Sequence, residues 1–171
     1  PFLIFFVGIL LAACTENPVP KPRAYPRVHY PENEGYYEYA PSDCPYSFQV
    51  PSYLSVEKKE QFFDEDISDE CWANITCSQL DATIYLSYKE LGQGQSLLHL
   101  MEEAYELTYK HTQKADFIQP VEVDNGQGAV GLIYYVGGDA ASNIQFFLTD
   151  TMSHFVRGAL YFYARPNVDS L

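Results

Sequence analysis

Apolar and polar positions alternate along most of the chain with a period of two, the spacing of a half-buried β-strand. Residues 46–50 (Tyr-Ser-Phe-Gln-Val) alternate and stop at Pro51, and residues 52–56 read as a second short strand. Residues 57–70 are dominated by Asp and Glu and read as a solvated loop, although Phe62 and Phe63 need a place to dock. Alternation resumes over 71–77, which puts Cys71, Ala73, Ile75 and Cys77 on one face, and 82–88 follow as a strand rich in β-formers. The period then changes. Ser96 is a natural N-cap, and Leu97, Leu98, Met101, Ala104, Tyr105 and Thr108 recur at helical spacing, which predicts one helix from 96 to about 111.

Residues 114–123 and 129–136 read as strands joined by a hairpin signal at Asp124-Asn125-Gly126. Residues 145–148 and 155–163 read as two aromatic strands joined across 149–154. Asp169-Ser170 offers a cap just before Leu171, so a further C-terminal helix is expected, cut off from the sequence given. The predicted class is α+β: a mostly antiparallel sheet of about seven strands with one long helix, plus that missing terminal helix.

The first residues break the pattern. Residues 2–14 (FLIFFVGILLAAC) are apolar or small and end at Cys14, with Leu11-Ala12-Ala13 before it. This is a lipobox: a transferase alkylates the Cys14 thiol with diacylglycerol, and small residues let a peptidase reach the Ala13–Cys14 bond. A transmembrane span needs about 20 apolar residues, whereas a secretory h-region runs about 7–15. A starting Met and basic n-region are missing, so the sequence reads as beginning inside the leader. The expected organisation is a signal peptide over 1–13, a lipidated Pro/Tyr-rich tether over 14–43 and a single α+β domain over 44–171. Six of the eleven prolines fall between 18 and 41, interleaved with tyrosines, and favour extended backbone. That segment serves either as a spacer or as a recognition strip.

A net charge of −13 argues against nucleic acid and against the domain lying on an anionic lipid surface. Cys14 is taken by lipid, which leaves Cys44, Cys71 and Cys77 in an oxidising compartment. Cys71 and Cys77 lie about 20 Å apart on an extended strand and cannot bridge each other. Cys44 therefore pairs with one of them. The expected bond is Cys44–Cys71, with Cys77 a buried thiol. No cysteine or histidine spacing matches a metal site, and none is expected.

Residues 126–131 match G-x-G-x-x-G, but a β-like run follows where a dinucleotide site needs a helix, so they read as a hairpin turn. No G-x-S-x-G elbow occurs. His154 stands near Asp150 and Ser153, yet adjacent loop residues seldom make a triad. No catalytic residue, cofactor or nucleotide is expected. Two places offer a partner surface: Arg23 and Arg27 in the tether, and Asp150, His154 and Arg157 between the last two strands. The bland alternative for the second is that Asp150 pairs with Arg157 to brace the loop.

Several blocks resemble one family closely. They are residues 20–27 (PKPRAYPR), 43–48 (DCPYSF), 71–75 (CWANI), 82–89 (ATIYLSYK), the 109–116 run, 145–150 (QFFLTD) and 154–162 (HFVRGALYF). Together they resemble the gliding motility lipoprotein GldD family of Bacteroidetes-type bacteria; Ala24, where the family pattern has Gly, and Cys77 depart from it. The resemblance implies a lipid-anchored, periplasm-facing envelope protein without enzymatic activity. It would be required for gliding and for the associated type IX secretion apparatus, with partners among their envelope proteins. The β-rich middle with its long helix also resembles a PsbP-like α/β/α sandwich. The competing function is an envelope ligand- or peptidoglycan-binding module, which would show as an aromatic-lined pocket between sheet and helix.

Overall fold

The computed structural model describes residues 29–59, 61–62, 65–66, 71–92 and 94–163. The leader, Cys14, Arg23, Arg27 and the expected C-terminal helix lie outside the described residues. In chain order the elements are β1 (Tyr36–Tyr39), β2 (Phe48–Pro51), β3 (Ser55–Lys59), β4 (Gln61–Phe62), β5 (Glu65–Asp66), β6 (Trp72–Cys77) and β7 (Ala82–Glu90). Helix α1 (Leu97–Tyr109) follows, then a 3-10 turn (Lys110–Gln113), β8 (Ala115–Asp124), β9 (Val130–Gly138), β10 (Ile144–Thr149) and β11 (His154–Phe162).

Seven strands form one antiparallel sheet in the order β3-β6-β7-β11-β10-β9-β8, so β3 and β8 are its edges. β10 and β11 pair across a tight turn, from Thr149 opposite Phe155 to Ile144 opposite Leu160. β11 pairs with β7, because the chain crosses from β7 through α1 to the far edge at β8 and returns strand by strand. The fold is the α+β class expected, with one helix on a mostly antiparallel sheet.

α1 opens as its sequence predicts, with the Ser96 hydroxyl accepting from His99 N at 3.2 Å. Its buried line is narrower than the periodicity suggests. Leu100, Ala104 and Thr108 are buried, whereas Leu98 and Tyr105, expected on the stripe, are 66% and 49% exposed. A helix laid on a flat sheet touches along i, i+4, i+8, and the flanks of a wider stripe turn to water. The core beneath it joins Leu100, Ala104, Tyr134, Phe147 and Phe155, the two phenyl rings stacked at 5.3 Å.

The opposite face of the sheet carries a second core of Ala73, Ile75 and Leu86, covered by Phe48 and Leu54 from the N-terminal segment. Two corrections to the expected boundaries come from this side. Tyr36–Tyr39, placed in the tether by composition, forms a strand that pairs antiparallel with β2. Residues 32–40 contain no proline, and the free N–H groups of this tyrosine-rich stretch can enter a ladder. Residues 57–59, placed in a loop, belong to edge strand β3 and pair with β6. Glu57 and Lys58 are exposed, as suits an edge.

A disulfide joins Cys44 to Cys71 across 5.5 Å between Cα atoms, and Cys77 is a free buried thiol. The Tyr46 hydroxyl donates to Cys71 O at 2.8 Å, and Asp43 pairs with Lys58 of β3. These contacts pin the N-terminal segment over the second core.

Candidate functional site

Strand parity separates the residues between the last two strands. Successive side chains of a strand point to opposite faces, so His154 and Arg157, three apart on β11, cannot share one. Arg157 lies on the helix side. Its Nη2 donates to Gln145 Oε1 at 2.9 Å, under a Thr108 hydroxyl 3.3 Å from the same oxygen. Burial lowers the Arg157 pKa, against Tyr161 and Glu103, which act to raise it. Its hydrogen bond is to an amide, and the bland alternative, an Asp150–Arg157 pair bracing the loop, is not formed.

Asp150 is committed to the β10–β11 turn. Its Oδ1 accepts from the backbone N–H groups of His154 (2.8 Å), Ser153 (2.9 Å) and Met152 (3.0 Å). The His154 and Ser153 bonds come first in bringing the carboxyl down to about 2. Thr149 Oγ1 donates to His154 O at 2.7 Å and accepts from Thr151 N at 2.9 Å, closing the turn around Thr151, whose φ is +65°. The His154 ring is held from beneath, with Nδ1 2.8 Å from the Tyr88 hydroxyl. The structure thus brings Asp150 and His154 together and sends Arg157 away.

Beside His154, on the face away from α1, lies a pocket of about 380 Å³. Phe48 of the N-terminal cover forms one wall. Ile75 (β6), Leu86 (β7), Phe146 and Leu148 (β10) and Val156 (β11) line it, with Tyr46, Asn125, Asp150 and His154 toward its polar end. Its floor depends on a missing side chain. A Cβ at Gly158 would lie 2.2 Å from Phe146 Cζ, so only glycine lets that ring lie across β11. At the mouth, Asn125 Oδ1 accepts from Gln127 N and Ala129 N (2.8 and 2.9 Å) and folds the β8–β9 turn, in which Gly126 and Gly128 take φ of +67° and +97°. β9 follows this turn directly, so the G-x-G-x-x-G stretch works as a hairpin.

An apolar pocket of this size with a few polar groups at one end is the form of a binding site. It lies on the opposite side of the sheet from the one where a sequence reading would seek it. The polar atoms around it are largely engaged: Asp150 Oδ1 by the turn, His154 Nδ1 by Tyr88, and the Tyr46 hydroxyl by Cys71 O. Among the described residues no Ser, Thr or Cys nucleophile is hydrogen-bonded to the His154 ring, the arrangement acyl transfer requires. Among the described residues no three His, Cys, Asp or Glu side chains gather as metal ligands. Sequence reasoning missed Phe48, Phe146, Leu148 and Val156 as a set. One signal was present: β10 carries Ile144, Phe146 and Leu148 on one face and Phe147 on the other, which marks a strand with apolar work on each side.

A family model for the gliding motility lipoprotein GldD matches residues 15–171. A comparison with curated proteins finds no match. Among solved structures, that of cyanobacterial PsbP (CyanoP) from Synechocystis sp. is 12% identical and covers 80% of this chain and 87% of its own, with a TM-score of 0.46.

Proposed function

The chain belongs to the gliding motility lipoprotein GldD family, and from that premise we propose that it is a non-enzymatic envelope protein. It acts as an assembly or accessory component of the gliding apparatus and of the associated type IX secretion machinery. The family match, spanning 15–171, carries this reading. The site geometry supports the non-enzymatic part, because Asp150 serves a turn and His154 a tyrosine rather than a nucleophile. Membrane attachment runs through acylated Cys14, with the domain facing the periplasm. No helix among the described residues is long and apolar enough to cross a membrane.

Complementation tests the proposal. In a gliding bacterium deleted for its own family member, both colony spreading and type IX export should fail, and this chain should restore them. Export that stays intact while spreading fails would remove the secretion half. Cys14→Ser should leave an uncleaved or soluble form; a mature acylated product from that variant would overturn the anchor. Arg23→Ala with Arg27→Ala tests the tether as a contact strip, with lost spreading at normal abundance expected. A second reading, a ligand-binding module, is favoured by the pocket beside Phe48 and Phe146.

A further inference from the structure

Among the described residues, the face of the sheet opposite α1 is covered over β6 and β7 and then left open. Parity puts Phe117 and Val121 (β8), Ile133 and Tyr135 (β9), and Phe146 and Leu148 (β10) on that face, and they continue outward from the pocket. Phe117, Tyr135 and Val121 are 56%, 43% and 39% exposed. Phe117 is also fitted to the face: a Cβ at Gly137 would meet its ring at 2.1 Å, so the ring lies across a glycine as Phe146 does across Gly158. A contiguous apolar sheet face of this kind marks an interaction surface.

Charge narrows the occupant. Between Lys114 and Arg157 the chain contains no Lys or Arg and five acidic residues: Asp116, Glu122, Asp124, Asp139 and Asp150. Asp139 and Asp150 lie on turns at the ends of this half of the sheet, whereas parity turns Glu122 and Asp124 of β8 to the α1 side; the chain as a whole carries a net charge of −13. An anionic leaflet is repelled by a chain of this charge. A second copy would set one strongly acidic chain against another. A small molecule would need walls on the side where the pocket instead runs out along Phe146 and Leu148. We infer that this face docks a protein partner that seats an aromatic or branched aliphatic side chain in the pocket and surrounds it with Lys or Arg. Interfaces concentrate their energy in such buried anchors, and complementary rims speed and orient encounter. The inference rests on the accessory-component reading and adds the chemistry of the partner.

The test is photo-crosslinking of the full lipidated chain in a gliding host that lacks its own copy. A benzophenone amino acid replaces Tyr135, and in a control it replaces Leu98, exposed on α1 on the other side of the sheet. From position 135 the expected product is one envelope protein, joined through a peptide with an aromatic or branched aliphatic residue close to Lys or Arg. Ala129→Trp, which fills the pocket mouth, should reduce that product at least fivefold at unchanged melting temperature. If that variant is unstable, Val156→Phe fills the pocket from its floor and is read in the same way. Crosslinks to lipid, to a second copy, to the chain's own terminal segments or to an acidic peptide would each overturn the inference. So would no product at all, or one insensitive to both pocket-filling variants. Spreading that still depends on the chain while the crosslink fails would sink the docking surface alone. Spreading and export that ignore the chain would sink the functional reading instead.

Discussion

The two faces of the seven-stranded sheet are built from the same strands but finished differently. On one, α1 lays Leu100, Ala104 and Thr108 against Phe147 and Phe155 and closes a core. On the other, a short N-terminal segment held by Cys44–Cys71 covers Ala73, Ile75 and Leu86, then leaves Phe117, Val121 and Tyr135 in water. β10 serves both: Phe147 is 2% exposed on one side, while Phe146 lines an open pocket on the other. The difference separates residues that hold the fold from residues the fold holds out. A surface that must meet a partner cannot be sealed by the chain's own helix.

The largest expected effect tests the sealed side. Phe147→Ala should destabilise by about 3–5 kcal/mol, because a close-packed core cannot collapse onto the cavity. Phe146→Ala should cost only about 1–2 kcal/mol, since its ring already borders water. Equal losses in denaturant melts would break the contrast. Next in size is the disulfide. Cys44→Ser with Cys71→Ser should cost about 3 kcal/mol on the chain-entropy account of a loop closed across 27 residues. Hydrogen exchange should rise first in β2 and β6, with α1 unaffected. Early loss of α1 instead would mean that the two sides are not separable.

Smaller still is Asp150. Asp150→Ala removes the acceptor for three backbone N–H groups and should cost about 1 kcal/mol. The sign with pH is set by the depressed pKa. A carboxyl that titrates near 2 when folded, against an ordinary 3.8, adds stability above the unfolded value and loses it as pH falls through the folded one. The melting gap between wild type and Asp150→Ala should hold from pH 7 to about 5 and close between about 4 and 2. A gap that widens in acid would mean that Asp150 braces nothing.

Local rules made much of the fold legible. Alternation over 71–77 matches β6, where Cys71, Ala73, Ile75 and Cys77 are all buried. The Ser96 cap and the 124–126 hairpin also sit where their chemistry puts them. What failed was non-local. Tyr36–Tyr39 sits among prolines, and nothing in its neighbourhood reveals that it pairs with β2. The partner-surface reading grouped Asp150, His154 and Arg157, with an Asp150–Arg157 pair as its alternative, but the turn takes the carboxylate and parity sends the guanidinium to the other face. The pocket draws on Phe48, Ile75, Leu86, Phe146 and Val156, from five separate strands, and no single stretch carries its signature.

The most direct measurement compares motility after positive charge is added to each side. Val121→Lys with Tyr135→Lys places two cations on the open face, and Leu98→Lys places one on the exposed flank of α1, each in the full lipidated chain in a deletion host. With abundance and melting temperature matched, the open-face variant should lose colony spreading and the helix variant should spread as wild type. Normal spreading with both lysines on the open face would contradict the account.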